Sequence, residues 1–309
     1  MNTLAPIALF VYNRPVHTQR TLDALSNTIE AKESILYIYC DGAKEKASSE
    51  QLQNIDRVRH IANNENRFKE IHVIESAFNK GLAKSITTGV TEVVAKYGKI
   101  IVLEDDLVVS TSFLKFMNNA LDKYNDSDKV ACISGYVYPL KNRPNEDSFF
   151  IKGADCWGWA TWKNKWTVFN PNPTTLKEEL TKRKLVKEFD FNNSYPYFEM
   201  LVDRGNGKNQ SWAILWYASA FLKGMYCLYP SKSLVQNIGN DGSGTHAVQT
   251  STYYDVKLES MTNINFPAKV EESKQGRKAF ESFFKSGKTT FVKQTKNYLR
   301  KIYHKLKKG

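Results

Sequence analysis

Residues 99–110 read KIIVLEDDLVVS. The apolar part of this run suits a strand buried on both faces, because parallel strands covered by helices carry continuous hydrophobic stretches. Three acids, Glu104, Asp105 and Asp106, close the strand. Carboxylates this close repel one another and lose hydration, so they persist where a cation offsets the cost. Their oxygens are hard ligands suited to Mg²⁺ or Mn²⁺, and a site with few protein ligands leaves positions for water and substrate phosphates. The competing reading is an acid cluster in which Asp105 and Asp106 serve the dipole of a following helix.

Outward from this run, two periods alternate. PIALFVY (6–12), SILYIYC (34–40), EIHVIES (70–76), KIIVLE (99–104) and KVACISGY (129–136) read as strands. Between them RPVHTQRTLDALSN, SEQLQNIDRVRHIAN, GLAKSITTGVTEVVAKYG and TSFLKFMNNALDKY carry helical spacing. Gly98 should stop the third helix, and Ser110 or Thr111 should cap the fourth. Such alternation predicts an α/β chain with a mostly parallel sheet and helices on both faces. Ligands of such sheets bind at the carboxyl ends of the strands. The segments YNRP, CDG and EDD, which follow the first, second and fourth strands, are therefore expected along one edge. Arg14 there can pair a phosphate through its two-pronged guanidinium, or simply sit in a surface ion pair. Asp41 can accept a bond from a base or ribose, or simply close an Asp-Gly turn. Neither a phosphate-binding G-x-x-x-x-G-K-[ST] loop nor G-x-G-x-x-G occurs, which argues against a P-loop enzyme or a dehydrogenase.

After residue 140 the pattern changes. FFIKGADCWGWATWKNKW is followed by a Lys-rich helical stretch (174–190) and the apolar helix SWAILWYASAFLKG (211–224). MYCLYP and SLVQNIG are short strands, and NDGSGTH is a glycine-rich turn. All six Trp lie between 157 and 216. Aromatic planes suit the apolar faces of sugar rings, so Trp157, Trp159 and Trp212 are candidates to face an acceptor, with core packing as the alternative.

The net charge of +12 on 309 residues invites a nucleic-acid reading, but Lys285–Gly309 alone holds eight Lys, one Arg and no acid. The excess is a property of the tail, so no nucleic acid is expected. Aromatics interleaved with lysines there point to an anionic membrane surface. No apolar run of about 18 residues exists to span a membrane. Four scattered cysteines suggest neither a zinc site nor a disulfide framework. The expected location is cytoplasmic, peripheral at the inner face of the membrane.

The order strand–VYNRP–helix–strand–CDG–helix–strand–NKGLA–helix–strand–LEDDL resembles the GT-A fold glycosyltransferases. It is nearest the branch that includes N-acetylglucosaminyltransferase I and its bacterial family-2-like relatives. DCWGWATW and NIGNDGSGTH extend the resemblance over roughly residues 5–247. It implies a GT-A domain with a nucleotide-sugar-binding α/β half (1–136), an acceptor-side α+β half (137–267) and a basic helical tail (268–309). It implies a nucleotide-diphosphate sugar, UDP-sugars favoured, and a divalent cofactor, Mn²⁺ or Mg²⁺. The acceptor would be a hydroxyl of a surface polysaccharide or a glycolipid, attacking the anomeric carbon of the donor with inversion. By the same resemblance Asp106 would bind the metal, Asp105 would contact the donor sugar or ribose, and Glu104 would support both. Asp41 would bind the nucleobase, with Tyr12 and Arg14 near the nucleotide. Lys80 and Lys84 would reach the diphosphate or ribose, and His246 would be a metal or phosphate partner. One departure stands out: the family draws its base from acids in a Trp-flanked stretch, and QSWAILWYA (210–218) contains none. Asp241 and Asp155 are the substitute candidates. The missing acid leaves room for a catalytically lapsed binding protein. A sugar nucleotidyltransferase would need a glycine-rich loop after the first strand, which VYNRPVH lacks.

Overall fold

The computed structural model describes residues 3–239, 241, 254–261 and 264–287. Its first half follows the expected alternation. Strands β1 (Ile7–Val11), β2 (Ile35–Cys40), β3 (Glu70–Glu75) and β4 (Lys99–Glu104) pair in parallel in the order β3-β2-β1-β4. Helices α1 (Pro15–Ser26), α2 (Ser49–Asn63) and α3 (Leu82–Tyr97) connect them. Pro15 opens α1, where its missing N–H loses nothing. A capping box of Ser48 and Gln51 opens α2. Gly98 ends α3 in the left-handed conformation at φ 80°.

Beyond β4 the path departs from expectation. The acids lead into a short strand, β5 (Leu107–Val109), before helix α4 (Phe113–Lys123) begins. Asp105 and Asp106 therefore do not stand in a helix's first turn. The N-cap position of α4 is Ser112 rather than Ser110 or Thr111, and its side chain makes no cap bond. Ser112 Oγ instead accepts the Met261 N–H at 2.9 Å.

Strands β6 (Val130–Ser134), β7 (Ser148–Lys152) and β8 (Trp159–Trp162) follow. Short helices α5 (Lys163–Trp166), α6 (Pro173–Lys182), α7 (Val186–Phe189), α8 (Tyr197–Gly205) and α9 (Ala213–Leu222) lead to β9 (Tyr226–Pro230) and β10 (Val235–Asn237). The full sheet order is β3-β2-β1-β4-β8-β6-β9-β7. Only β8 and β7 run against the rest. β8 inserts between β4 and β6, so the fifth expected strand does not adjoin the fourth. β10 pairs antiparallel with β5, which brings Asn237 opposite Leu107, next to the acids.

The sheet separates two cores by the two-residue period of its strands. Ile7, Leu9 and Val11 of β1 join Leu22, Leu25 and the apolar face of α4. Ala8 and Phe10 join Ile86, Val90 and the tryptophans on the other side. Residues 274–287 form a further helix, α10. The expected tail begins at 268, yet Phe280 and Phe284 of α10 are buried in the second of these cores. Arg277 is buried too, ion-paired with Glu272 and Glu281 and stacked 4.0 Å over the Phe191 ring. This part of the presumed tail is integral to the fold. Residues 288–309, with most of the basic excess, lie outside the described residues. Among the described residues no helix is long and apolar enough to cross a membrane.

Phe280 packs against Tyr229, Tyr138 and Phe191 at 5.1, 5.2 and 5.9 Å between ring centres. Phe280→Ala should lower unfolding stability by about 3–5 kcal/mol in urea titration, the usual loss for a buried Phe. A loss below about 1 kcal/mol, the size of a surface change, would contradict a core role for α10.

Candidate active site

The site forms where the chain leaves β4. Two main-chain contacts fix this turn. Thr21 Oγ1 of α1 donates to the Asp105 carbonyl at 2.8 Å, and the Ile238 N–H donates to the Asp106 carbonyl at 2.9 Å. The neighbouring β1–α1 turn supplies Arg14. Its Nη2 donates both to Asp105 Oδ1 and, at 2.8 Å, to Asp106 Oδ2. The three side chains are only 16%, 7% and 14% exposed. A Cβ on Gly239 would overlap Asp106 Oδ2 and come within 3.0 Å of Arg14 Nη1, so the loop backbone lies close against this pair and a larger residue there would push the two side chains aside.

The electrostatics follow from burial and like charge. Burial pushes the Glu104 carboxyl up to about 8, with Asp106 and Asp105 adding to it and Arg14 opposing. Burial also raises Asp105, while Arg14 pulls it down. For Arg14 burial works against the charge, but Asp105 and Asp106 more than offset it, and the guanidinium holds its proton more tightly than usual. Two hard carboxylates converging on the Arg14 guanidinium have the donor chemistry that Mn²⁺ or Mg²⁺ would need. Among the described residues no group of three or more His, Cys, Asp or Glu side chains could hold a metal ion. The remaining positions would fall to donor phosphates and water.

Asp41, at the end of β2, fits the turn-closing alternative read from Asp-Gly. Its Oδ1 accepts the N–H groups of Gly42 and Lys80 at 2.9 and 2.8 Å. Its Oδ2 accepts the Gly81 N–H at 2.9 Å and Asn79 Nδ2 at 3.1 Å. Those four bonds fill the carboxylate's accepting capacity, so the expected nucleobase contact finds no open lone pair. Asp41 instead clamps the 79–81 turn, where Gly81 adopts φ 75° before α3. Gly42 is packed so closely that a Cβ would lie 2.5 Å from the Phe78 carbonyl carbon. The clamp presents half-buried Lys80 and, one helical turn on, exposed Lys84. Tyr12 is half-buried nearby, its phenol raised by burial and by the charge of Asp41.

The other expected residues divide. Asp241 is 49% exposed at the side chain and lies 3.2 Å from His17 Nε2. His17 is a buried residue of α1 that escaped notice in the sequence, where a lone histidine on a helix carries no signal. Asp155 accepts from the Cys156 and Trp157 N–H groups at 2.6 and 3.3 Å and from the Tyr229 hydroxyl at 2.9 Å. Burial raises its carboxyl against those donors. Trp159 is fully buried and Trp212 nearly so. They stack 5.4 Å apart, with Trp166 and Trp216 beside Trp159, in the core. Neither can meet an acceptor as expected, because a strand residue facing α9 points into the sheet–helix layer. Trp157 is half-buried and packs on Tyr136 and Tyr254. His246 lies outside the described residues.

If Asp41 positions the turn rather than reading a base, Asp41→Asn should raise the Kd of UDP and of GDP by similar factors. Isothermal titration of both nucleotides checks this. A change in their ratio of tenfold or more would assign Asp41 to base recognition.

No curated protein matches the chain. Among solved structures, similarity extends to the mannosyltransferase PcManGT from Pyrobaculum calidifontis in complex with GDP-Man and Mn²⁺. That likeness has 11% identity and a TM-score of 0.38, over 71% of this chain and 70% of that one. TarS of S. aureus aligns at 14% identity and a TM-score of 0.40, over 77% of this chain and 37% of that one. Residues 7–179, more than half of the chain, match the model of glycosyl transferase family 2. The match begins at β1, takes in the Arg14 turn, the Asp41 clamp and the acid run, and ends within α6. With its mostly parallel α/β sheet and its acids at the carboxyl edge, the chain belongs to glycosyl transferase family 2.

Proposed function

We propose that this transferase moves a sugar from a nucleotide-diphosphate sugar to an acceptor hydroxyl with the help of a divalent cation. One observation carries the reading: the Asp105 and Asp106 carboxylates converge on a single cation at the strand edge where such sheets bind ligands. The Asp41-clamped turn lies on the same edge, since β4, β1 and β2 are adjacent and parallel. It brings Lys80 toward a diphosphate, and Arg14 suits a phosphate's planar pair of oxygens.

Breaking the anomeric C–O bond builds negative charge on the leaving diphosphate. A divalent cation held by Asp106 supplies Lewis-acid stabilisation of that charge. Asp105 orients the donor sugar or ribose, and Glu104, at the end of β4, supports the pair. The acceptor hydroxyl needs a base within hydrogen-bond reach. Asp241 is the better of the two candidates, because its side chain is half-exposed beside His17 of α1 while Asp155 is buried among protein donors. Attack by one hydroxyl in a single displacement gives inversion. The acceptor would be a surface polysaccharide or a lipid-linked glycan, and the basic segment 288–309 would bring the chain to an anionic membrane where such acceptors sit. A UDP-sugar is the favoured donor.

Asp106→Asn keeps the size of the side chain and removes the charge. Its turnover of UDP- or GDP-sugars with Mn²⁺ should fall by about 10²–10³-fold, the usual loss when an electrostatic stabiliser is removed. Its melting curve should stay cooperative. Turnover within threefold of the parent protein would contradict the assignment.

A further inference from the structure

We infer that Arg14 is an internal counter-cation that competes with the divalent cation for Asp106, so that the acids open only as a diphosphate draws Arg14 away. The inference rests on the metal–diphosphate reading above and adds an order to it. Arg14 Nη2 bonds the same Asp106 Oδ2 that lies against Gly239. A divalent ion on that oxygen would sit at about 2.0–2.6 Å. The guanidinium nitrogen is 2.8 Å from the oxygen, so both cations together would face each other at close range in a poorly solvated pocket. The guanidinium cannot relieve the conflict by losing its proton, because it stays charged in proteins.

Nor can the loop relieve it. The Gly239 backbone covers Asp106 Oδ2, and the Ile238 N–H pins the Asp106 carbonyl. Arg14 is the movable part: it stands in the turn between β1 and α1, and its side chain is its only link to the acids. A diphosphate at this edge offers the same planar, doubly accepting surface that the two carboxylates offer. Arg14 can thus exchange one anionic pair for another without losing its compensation. Metal and nucleotide then assist each other's binding by a common factor, as linkage requires. The exchange also guards the free site, since three unpaired acids at a buried strand end would otherwise bind any available cation.

The test is Mn²⁺ binding followed by electron paramagnetic resonance of the free ion, which reads no activity. Arg14→Met should bind Mn²⁺ without nucleotide at least tenfold more tightly than the parent chain. UDP or GDP should tighten Mn²⁺ binding by the parent by a factor at least tenfold larger than in Arg14→Met, where only the phosphates' own ligation of the ion remains. Adding Asp106→Asn to Arg14→Met should abolish the gain. If Arg14→Met folds poorly, Arg14→Lys serves: one ammonium bridges the two carboxylates less well, and Mn²⁺ affinity should rise by a smaller factor. Equal or weaker Mn²⁺ binding by the variants, with nucleotide-assisted binding intact in the parent, would overturn the competition alone. Failure of every form to bind Mn²⁺, with either nucleotide present, would overturn the competition and the metal reading together.

Discussion

One guanidinium holds two carboxylates together at the end of a buried strand, and the rest of the site is arranged around that contact. Glu104, Asp105 and Asp106 follow a strand whose residues 100–103 are fully buried or nearly so. Left alone, their charges would push the β4 exit apart. Breaking a buried ion pair by removing one partner costs about 3–5 kcal/mol. Arg14 removes that strain, and in doing so it joins the β1–α1 turn to the β4–β5 turn. Gly239, just after β10, closes the third side, its backbone lying close over the Asp106 carboxylate.

A second, independent lock lies two strands away. Asp41 takes four protein donors, and Gly42 lies against the backbone of Phe78. Together these fix the entrance of α3 and the lysines it carries. The two locks have different characters. The Asp41 clamp is made largely of main-chain N–H groups and behaves as scaffold. The Arg14 contact is made of side chains alone, so it can be exchanged for a ligand. On the proposed reading, the scaffold would hold donors preorganised for developing charge, while the exchangeable contact would couple donor and cation.

Much of this was legible in the sequence. The four parallel strands declared themselves by continuous apolar runs, and KIIVLE matches β4 at both ends. Gly98 stopped α3 as read, because a left-handed residue there admits glycine at little cost. The acid run pointed to a cation for a sound reason, although the cation present belongs to Arg14. What escaped was non-local. Nothing in WATW shows that it inserts between β4 and β6, since strand order is set by long-range pairing and not by period. β5 is three residues long and borrows its partner from β10. Trp159 and Trp212 looked like sugar platforms because composition cannot separate an aromatic in a core from one in a cleft. Asp-Gly already suggested a turn at Asp41, and Gly42 is one of its partners, but the other three lie 38–40 residues on, beyond the reach of motif reading. The helix α10 was hidden inside a basic run whose phenylalanines carry the packing.

The account turns on where the divalent cation binds. Crystals grown with Mn²⁺ and UDP or GDP, with anomalous diffraction recorded at the manganese edge, would locate it. The expected result is one peak at about 2.0–2.6 Å from an Asp106 carboxylate oxygen, bridged to the diphosphate, with the Arg14 guanidinium moved onto phosphate. A peak elsewhere, with Arg14 still bridging Asp105 and Asp106 beneath a bound nucleotide, would contradict it.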